Sequence, residues 1–245
     1  MPLALILGAI DLILVVHAAK TGRFSPWAYI ILMIPVFGAL AYIAVELFPE
    51  WLGSYEGQKA RKHVTRTLDP QRQYRALTDQ LEITDTVANR EALAAECLTL
   101  EKYDEAIHHY DEILARPLGD EPIYMFGRAR AEFGLGRPAD VIATLDELRR
   151  RWPNYESADA HLLYARSLEE IGRTDEAVEE YKALAGYFAG AEARVRYGLL
   201  LDRLGRQAEA RMVLSDLLTH MRRAPKHVRK VQAEWIGMAE RALRG

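Results

Sequence analysis

Hydrophobic positions are distributed along this chain in two different ways. Over residues 1–48 they come in near-continuous runs, whereas beyond about residue 70 they recur at helical spacing among charged residues and alanines. The run from Trp27 to Phe48 reads WAYIILMIPVFGALAYIAVELF and carries one charge, Glu46. About 22 helical residues extend roughly 33 Å, enough for the ~30 Å hydrocarbon core of a bilayer. An earlier run, Leu3 to Ala19, is apolar except for Asp11 and His17. The pattern predicts an all-α chain: a two-helix transmembrane hairpin over residues 1–50, a basic juxtamembrane linker with a short helix over 51–86, and a helical array over 87–245.

Within the hairpin, Trp27, Tyr29 and Trp51 fall where amphipathic rings favour a membrane interface, and Pro35 is tolerated better in a spanning helix than in a soluble one. A buried core helix competes as a reading of the second run, but the run is long and evenly apolar for that. A cleaved signal peptide competes for the first, with Val16 and Ala18 as small cleavage-site residues. No Lys or Arg precedes its apolar core, and a second span follows at once, which favours a retained helix. Asp11 is then expected to face the partner helix as inter-helix glue, with an ion pathway as the alternative. Lys59, Arg61, Lys62 and Arg66 after the second run outnumber Lys20 and Arg23 between the runs. The expected placement is therefore a two-pass protein of the cell inner membrane, with the bilayer contacted through residues 3–48 and the C-terminal array cytoplasmic.

The stretch KTGRFSPWAYIILMIPVFGALAYI (Lys20–Ile43) resembles the membrane segment that precedes phospholipase D–type cardiolipin synthase domains, where a basic loop leads into a Trp-started helix with a central Pro and Gly, here Trp27, Pro35 and Gly38. The resemblance implies an anchor. It does not imply phospholipase activity, because none of His17, His63, His108, His109, His161, His220 or His227 is followed two positions later by Lys, as that family's catalytic motif requires.

Composition adds exclusions. A net charge of −3 gives no reason to expect a nucleic-acid partner. The single Cys97 rules out an internal disulfide and any multi-cysteine metal site. Adjacent His108 and His109 point about 100° apart on a helix and cannot chelate one ion together.

Beyond the linker the sequence repeats. The windows AEFGLGRPADVIATLDEL, LEEIGRTDEAVEEYKAL and LLDRLGRQAEARMVLSDL each carry Gly-Arg at a turn, namely Gly136-Arg137, Gly172-Arg173 and Gly205-Arg206. Five residues after each Gly stands Val141, Ala177 or Ala210. Seven before it stands Ala129, Ala165 or Gly198. An earlier copy without the Gly, CLTLEKYDEAIHHYDEIL, has Ala94 and Ala106 at those places, and the spacings along Ala106, Val141, Ala177 and Ala210 are 35, 36 and 33. Small residues let antiparallel helices approach closely, and Gly supplies the left-handed residue that ends a helix. A period near 34 with this pattern resembles the tetratricopeptide repeat (TPR) family, an unrelated helical bundle being the alternative. The resemblance implies an α-solenoid of about four TPR-like helix pairs, over 87–100/103–115, 122–135/138–151, 157–171/174–187 and 191–204/207–221, with a C-terminal capping helix over 226–243. The copies depart from the family pattern: none has Trp at the fourth position, and Arg128 and Glu132 stand where apolar residues usually pack.

No Gly-rich phosphate loop, nucleophile elbow or paired-carboxylate motif is present, so neither an enzyme nor a cofactor or metal site is expected. Carried over residue by residue, the TPR resemblance puts Phe126, Arg130, Phe133, Leu162, Arg166, Glu169, Val195, Leu199, Asp202 and Arg203 in a partner-binding groove. Arg130 and Arg166 occupy equivalent positions and could form a basic step for a carboxylate or acidic peptide, with an ion pair inside the array, such as Arg166 to Glu170, as the bland alternative. The expected role is a membrane-anchored adaptor holding a protein or peptide. The alternative is a non-catalytic accessory or regulatory subunit in membrane phospholipid metabolism.

Overall fold

The computed structural model describes residues 2–34, 36–47, 49 and 69–244, the first six by backbone alone. The chain forms two compact units, Met1–Arg72 and Gln73–Gly245.

The first unit holds α1 (Pro2–Lys20), α2 (Phe24–Met33) and α3 (Phe37–Tyr42), the last continuing as a π-turn over Ile43–Leu47. The long apolar run is therefore broken. Ile34 leaves helical geometry at φ −129° and ψ 73°, and Val36 takes φ 71°. The break flanks Pro35, whose ring disfavours helix at the preceding residue. Ten helical residues reach only about 15 Å and six about 9 Å. Among the described residues no helix is long and apolar enough to cross a membrane. This corrects the transmembrane hairpin, the bilayer contact through residues 3–48 and the two-pass inner-membrane placement with a cytoplasmic array. The resemblance to the phospholipase D–type segment gains no support from this geometry. Trp51 and the basic cluster Lys59, Arg61, Lys62 and Arg66 lie outside the described residues.

Among the described residues the three helices fold on one another. Leu14, Ala18, Ile31, Ala39 and Tyr42 make a small core. Gly38 lets α3 lie against α2, since a Cβ there would stand 2.4 Å from the Ile30 carbonyl oxygen. Polar groups close the unit: the Tyr42 hydroxyl meets His17 Nδ1 at 2.9 Å, the Trp27 indole donates to Glu46 at 2.9 Å, and Arg23 reaches Glu46 at 3.0 Å.

The second unit is an array of helix pairs. It opens with α4 (Arg72–Ile83), which lays Tyr74, Leu77 and Leu81 on the first pair. The pairs are α5 (Val87–Thr99) with α6 (Tyr103–Leu114), α7 (Pro122–Gly134) with α8 (Pro138–Arg151), α9 (Ala158–Glu170) with α10 (Thr174–Tyr187), and α11 (Glu192–Arg203) with α12 (Gln207–Arg223). Two short helices, α13 (Lys226–Val231) and α14 (Ala233–Arg244), stand where one capping helix was expected. α14 packs Trp235, Ile236 and Met238 against the last pair.

All four pairs use one turn. The N–H of Lys102, Arg137, Arg173 and Arg206 bonds back to the carbonyl of Cys97, Glu132, Leu168 and Leu201, at 2.9 to 3.0 Å. This closure needs a left-handed residue just before it. Gly136, Gly172 and Gly205 supply it with φ of 68°, 80° and 76°, and in the first copy Glu101 adopts φ 58° despite its side chain. The small positions are buried as their spacing requires: Ala94, Ala106, Ala129, Val141, Ala165 and Ala177 are fully covered.

Candidate functional site

The first helices of successive pairs present two hollows. The first, about 380 Å³, is lined by Phe126 and Arg130 on α7, Asp159, Leu162, Leu163 and Arg166 on α9, and Glu192 on α11. Leu162 and Leu163 are nearly covered and form its floor. Arg166 is the organising side chain. Its guanidinium lies 4.5 Å from the Phe133 ring centroid and 3.7 Å from Glu192, while its Nε is buried and makes no hydrogen bond among the described residues. Glu192 is shared, because Arg196 on the next helical turn binds the same carboxylate oxygen at 2.8 Å. Arg130 is exposed and makes no ion pair among the described residues. Two cations thus face Asp159 and a carboxylate already divided between two arginines.

The second hollow, about 370 Å³, is lined by Glu169 on α9, Arg196, Leu199, Asp202 and Arg203 on α11, and Trp235 and Met238 on α14. Its polar wall is neutralised from within. Arg203 pairs with Glu169 across one repeat, and the Tyr181 hydroxyl donates to the same carboxylate at 2.6 Å. Burial, reinforced by that bond, raises the Tyr181 hydroxyl well above the ordinary tyrosine range, so it stays a donor. The Arg196 guanidinium also lies 5.2 Å from the Trp235 ring centroid.

The structure therefore brings Phe126, Arg130, Leu162 and Arg166 to one hollow, and Glu169, Leu199, Asp202 and Arg203 to the other. Phe133 supports Arg166 from beneath instead of lining the surface, and Val195 is fully buried in the core between α11, α12 and α14. Arg166 pairs with Glu192 on the next repeat and not with Glu170, which is exposed. Asp159, Leu163, Glu192 and Arg196 escaped sequence reasoning, which placed Trp235 and Met238 on the apolar face of the capping helix and not in a hollow. The Glu192–Arg196 spacing of four was a legible signal, whereas nothing in the sequence marked Trp235 and Met238 as walls of a hollow.

A larger cavity, about 590 Å³, opens between α8, the segment before α9 and the end of α10. There His161 bonds through Nε2 to Glu180 and through Nδ1 to the Tyr187 hydroxyl. The His161 bond holds the Glu180 carboxyl below its ordinary range against the effect of burial.

Comparisons with known proteins agree with this architecture. A thermophilic TPR protein from Thermus thermophilus superposes with a TM-score of 0.52 at 20% identity, over 70% of this chain and 89% of that one. A TPR repeats protein from Bacteroides fragilis matches at 16% identity and a TM-score of 0.33, over 76% of this chain and 94% of its own. The first likeness establishes an all-α, TPR-type solenoid. No curated protein sequence matches the chain. The family model described as "T7SS, ESX-1 secretion system protein EccA1, N-terminal domain" matches residues 54–233, a stretch that takes in all four helix pairs and well over half of the chain. By that match, the chain belongs to the family of the EccA1 N-terminal domain.

Proposed function

We propose that the array is a protein-binding scaffold whose first hollow receives an acidic segment of a partner. The observation that carries this reading is the pair Arg130 and Arg166 on successive first helices: the former exposed and without an ion pair among the described residues, the latter holding only half a carboxylate at 3.7 Å. A guanidinium seated beside apolar walls is a fork for a carboxylate, and charge-assisted bonds there are stronger than neutral ones. Phe126 and Leu162 supply apolar surface beside it for a neighbouring side chain. The matching family is that of a secretion-system protein's N-terminal domain, and a scaffold that receives another protein suits such an apparatus. The reading concerns the array alone. An accessory role in membrane phospholipid metabolism was motivated only by the membrane-hairpin resemblance, which the described helices do not support.

The test uses the full chain and a fluorescein-labelled peptide rich in Asp and Glu, followed by polarisation. Arg130→Glu combined with Arg166→Glu is expected to weaken binding at least about tenfold, the loss of roughly 1.4 kcal/mol or more from charge-assisted bonds. A Lys-rich peptide of equal length is expected not to bind at this hollow. Unchanged affinity of the double variant for the acidic peptide would sink the proposal.

A further inference from the structure

In the first two repeats an arginine near the end of the second helix is tied to an aspartate ahead of the first. Arg116 Nη2 lies 2.6 Å from Asp85 Oδ2, with Arg116 Nη1 donating to the Asp85 carbonyl at 3.1 Å, and Arg151 pairs with Asp120. Both pairs keep one register: the arginine is 15 residues after the left-handed turn residue and the aspartate 16 before it, counted from Glu101 and Gly136. In the first repeat Arg90 joins in, and Arg90 and Arg116 together hold the Asp85 carboxyl well below the usual carboxylate range.

The same count from Gly172 reaches Tyr187 and Glu156. The acid is kept, but the arginine is replaced by tyrosine. Tyr187 turns to His161, and Glu156 makes no ion pair among the described residues. In this third repeat the 590 Å³ cavity opens, with Glu156, Tyr155 and Tyr187 on its wall and Leu145, Leu148 and Ala160 at its base; the fourth repeat, with His220 and Ala189 at these places, keeps neither member of the stitch. Arg149 also lines the cavity, its guanidinium 4.1 Å from the Tyr164 ring centroid and 3.9 Å from Glu180, which leaves Glu156 as the lining carboxylate without an ion pair among the described residues.

We infer that this cavity is a second binding site, which takes an arginine side chain of a partner protein and completes from outside the stitch that Arg116 and Arg151 make from within. The guanidinium would pair with Glu156 and lie against the Tyr155 and Tyr187 rings, with its methylene stem over the leucines. The site shares no residue with the hollow of Arg130 and Arg166, and its ligand chemistry is opposite.

Titration of the full chain with N-acetyl-arginine amide, followed by amide NMR, tests it. Saturable shifts are expected at Ala158, Ala160 and His161. Glu156→Gln should weaken the apparent affinity about tenfold, the loss of one charge-assisted pair. Tyr187→Arg should abolish the shifts by filling the site from within and should raise the melting temperature, whereas Arg130→Glu should change neither. Equal or tighter binding of N-acetylglutamate at these amides would overturn the proposal. So would unaltered arginine-amide binding in Glu156→Gln or in Tyr187→Arg.

Discussion

The second and third helix pairs share a backbone plan and fill it differently. Four and eight residues before the turn glycine, the third pair places Leu168 and Tyr164, both buried in the core. The second pair places Glu132 and Arg128 there. Glu132 is only 3% exposed, and Arg128 Nε reaches it at 3.1 Å while also lying 3.2 Å from Asp111. An ion pair between buried Glu132 and half-buried Arg128 has thus replaced a largely apolar pair without disturbing the turn, the helix lengths or the buried small residues Ala129 and Ala165. The comparison teaches that the small residues and the left-handed turn set the hairpin geometry, while the residues between them are exchangeable if they come as matched sets. Burial raises the Glu132 carboxyl above its ordinary range, against the opposing pull of Thr144 and Arg128.

Transplanting half of the ion pair should break the rule most severely. Leu168→Glu puts a carboxylate beside Tyr164, with no cation in the place that Arg128 holds for Glu132. It should cost at least about 4 kcal/mol, from the lost apolar burial and an unpaired buried charge, and show as a collapse of the denaturant midpoint. The converse exchange, Arg128→Tyr with Glu132→Leu, should be neutral or stabilising by about 1–4 kcal/mol. That variant should also lose a pH dependence. Because the folded-state pKa of Glu132 lies above its unfolded value, the native state holds the proton more tightly. Stability therefore falls as pH rises from the ordinary carboxylate range through the raised value. Denaturation of wild type and double variant across that range should show this contribution as a difference between their slopes, since the other shifted carboxylates titrate in both. The smallest effect concerns the turn that both pairs share and the first copy strains. Glu101→Gly should stabilise by about 1 kcal/mol, because the left-handed conformation penalises a side chain, and an unchanged melting temperature would count against that reading.

Much of the array was legible because its determinants are local. The helix ends expected for the four pairs fall within one or two residues of those observed, since a Gly-Arg turn flanked by small residues announces the last three hairpins and the small residues alone announce the first. Glu101 shows why even the glycine-less copy could be placed: its flanking Ala94 and Ala106 hold the register, although nothing in the sequence marks Glu101 as left-handed. What escaped depends on distant partners. Arg166 finds Glu192, 26 residues away, in preference to the nearby Glu170. The capping segment bends between Val231 and Ala233, and its Trp235 and Met238 come to line the hollow expected to lie open at Leu199 and Arg203. The apolar run of residues 27–48 looked continuous because hydropathy counts side chains, whereas the backbone at Ile34 and Val36 turns. Its exposed Met33, Phe37 and Tyr29 leave the first unit with an apolar surface unlike that of the array.

The polar pair on α7 also bears on how the array comes apart. Apolar clustering changes hands on that one helix: Tyr124 and Ala131 belong to the body built on α4, α5 and α6, whereas Met125 and Ala129 belong to the body that continues through α8 to α11. In a linear array each repeat is stabilised mainly by its neighbours, so cooperativity extends only as far as those couplings are strong. Across α6 and α7 that coupling rests on Leu114, which packs against both clusters, and on Arg128 3.2 Å from Asp111, so a change at Arg128 is felt on both sides of the seam.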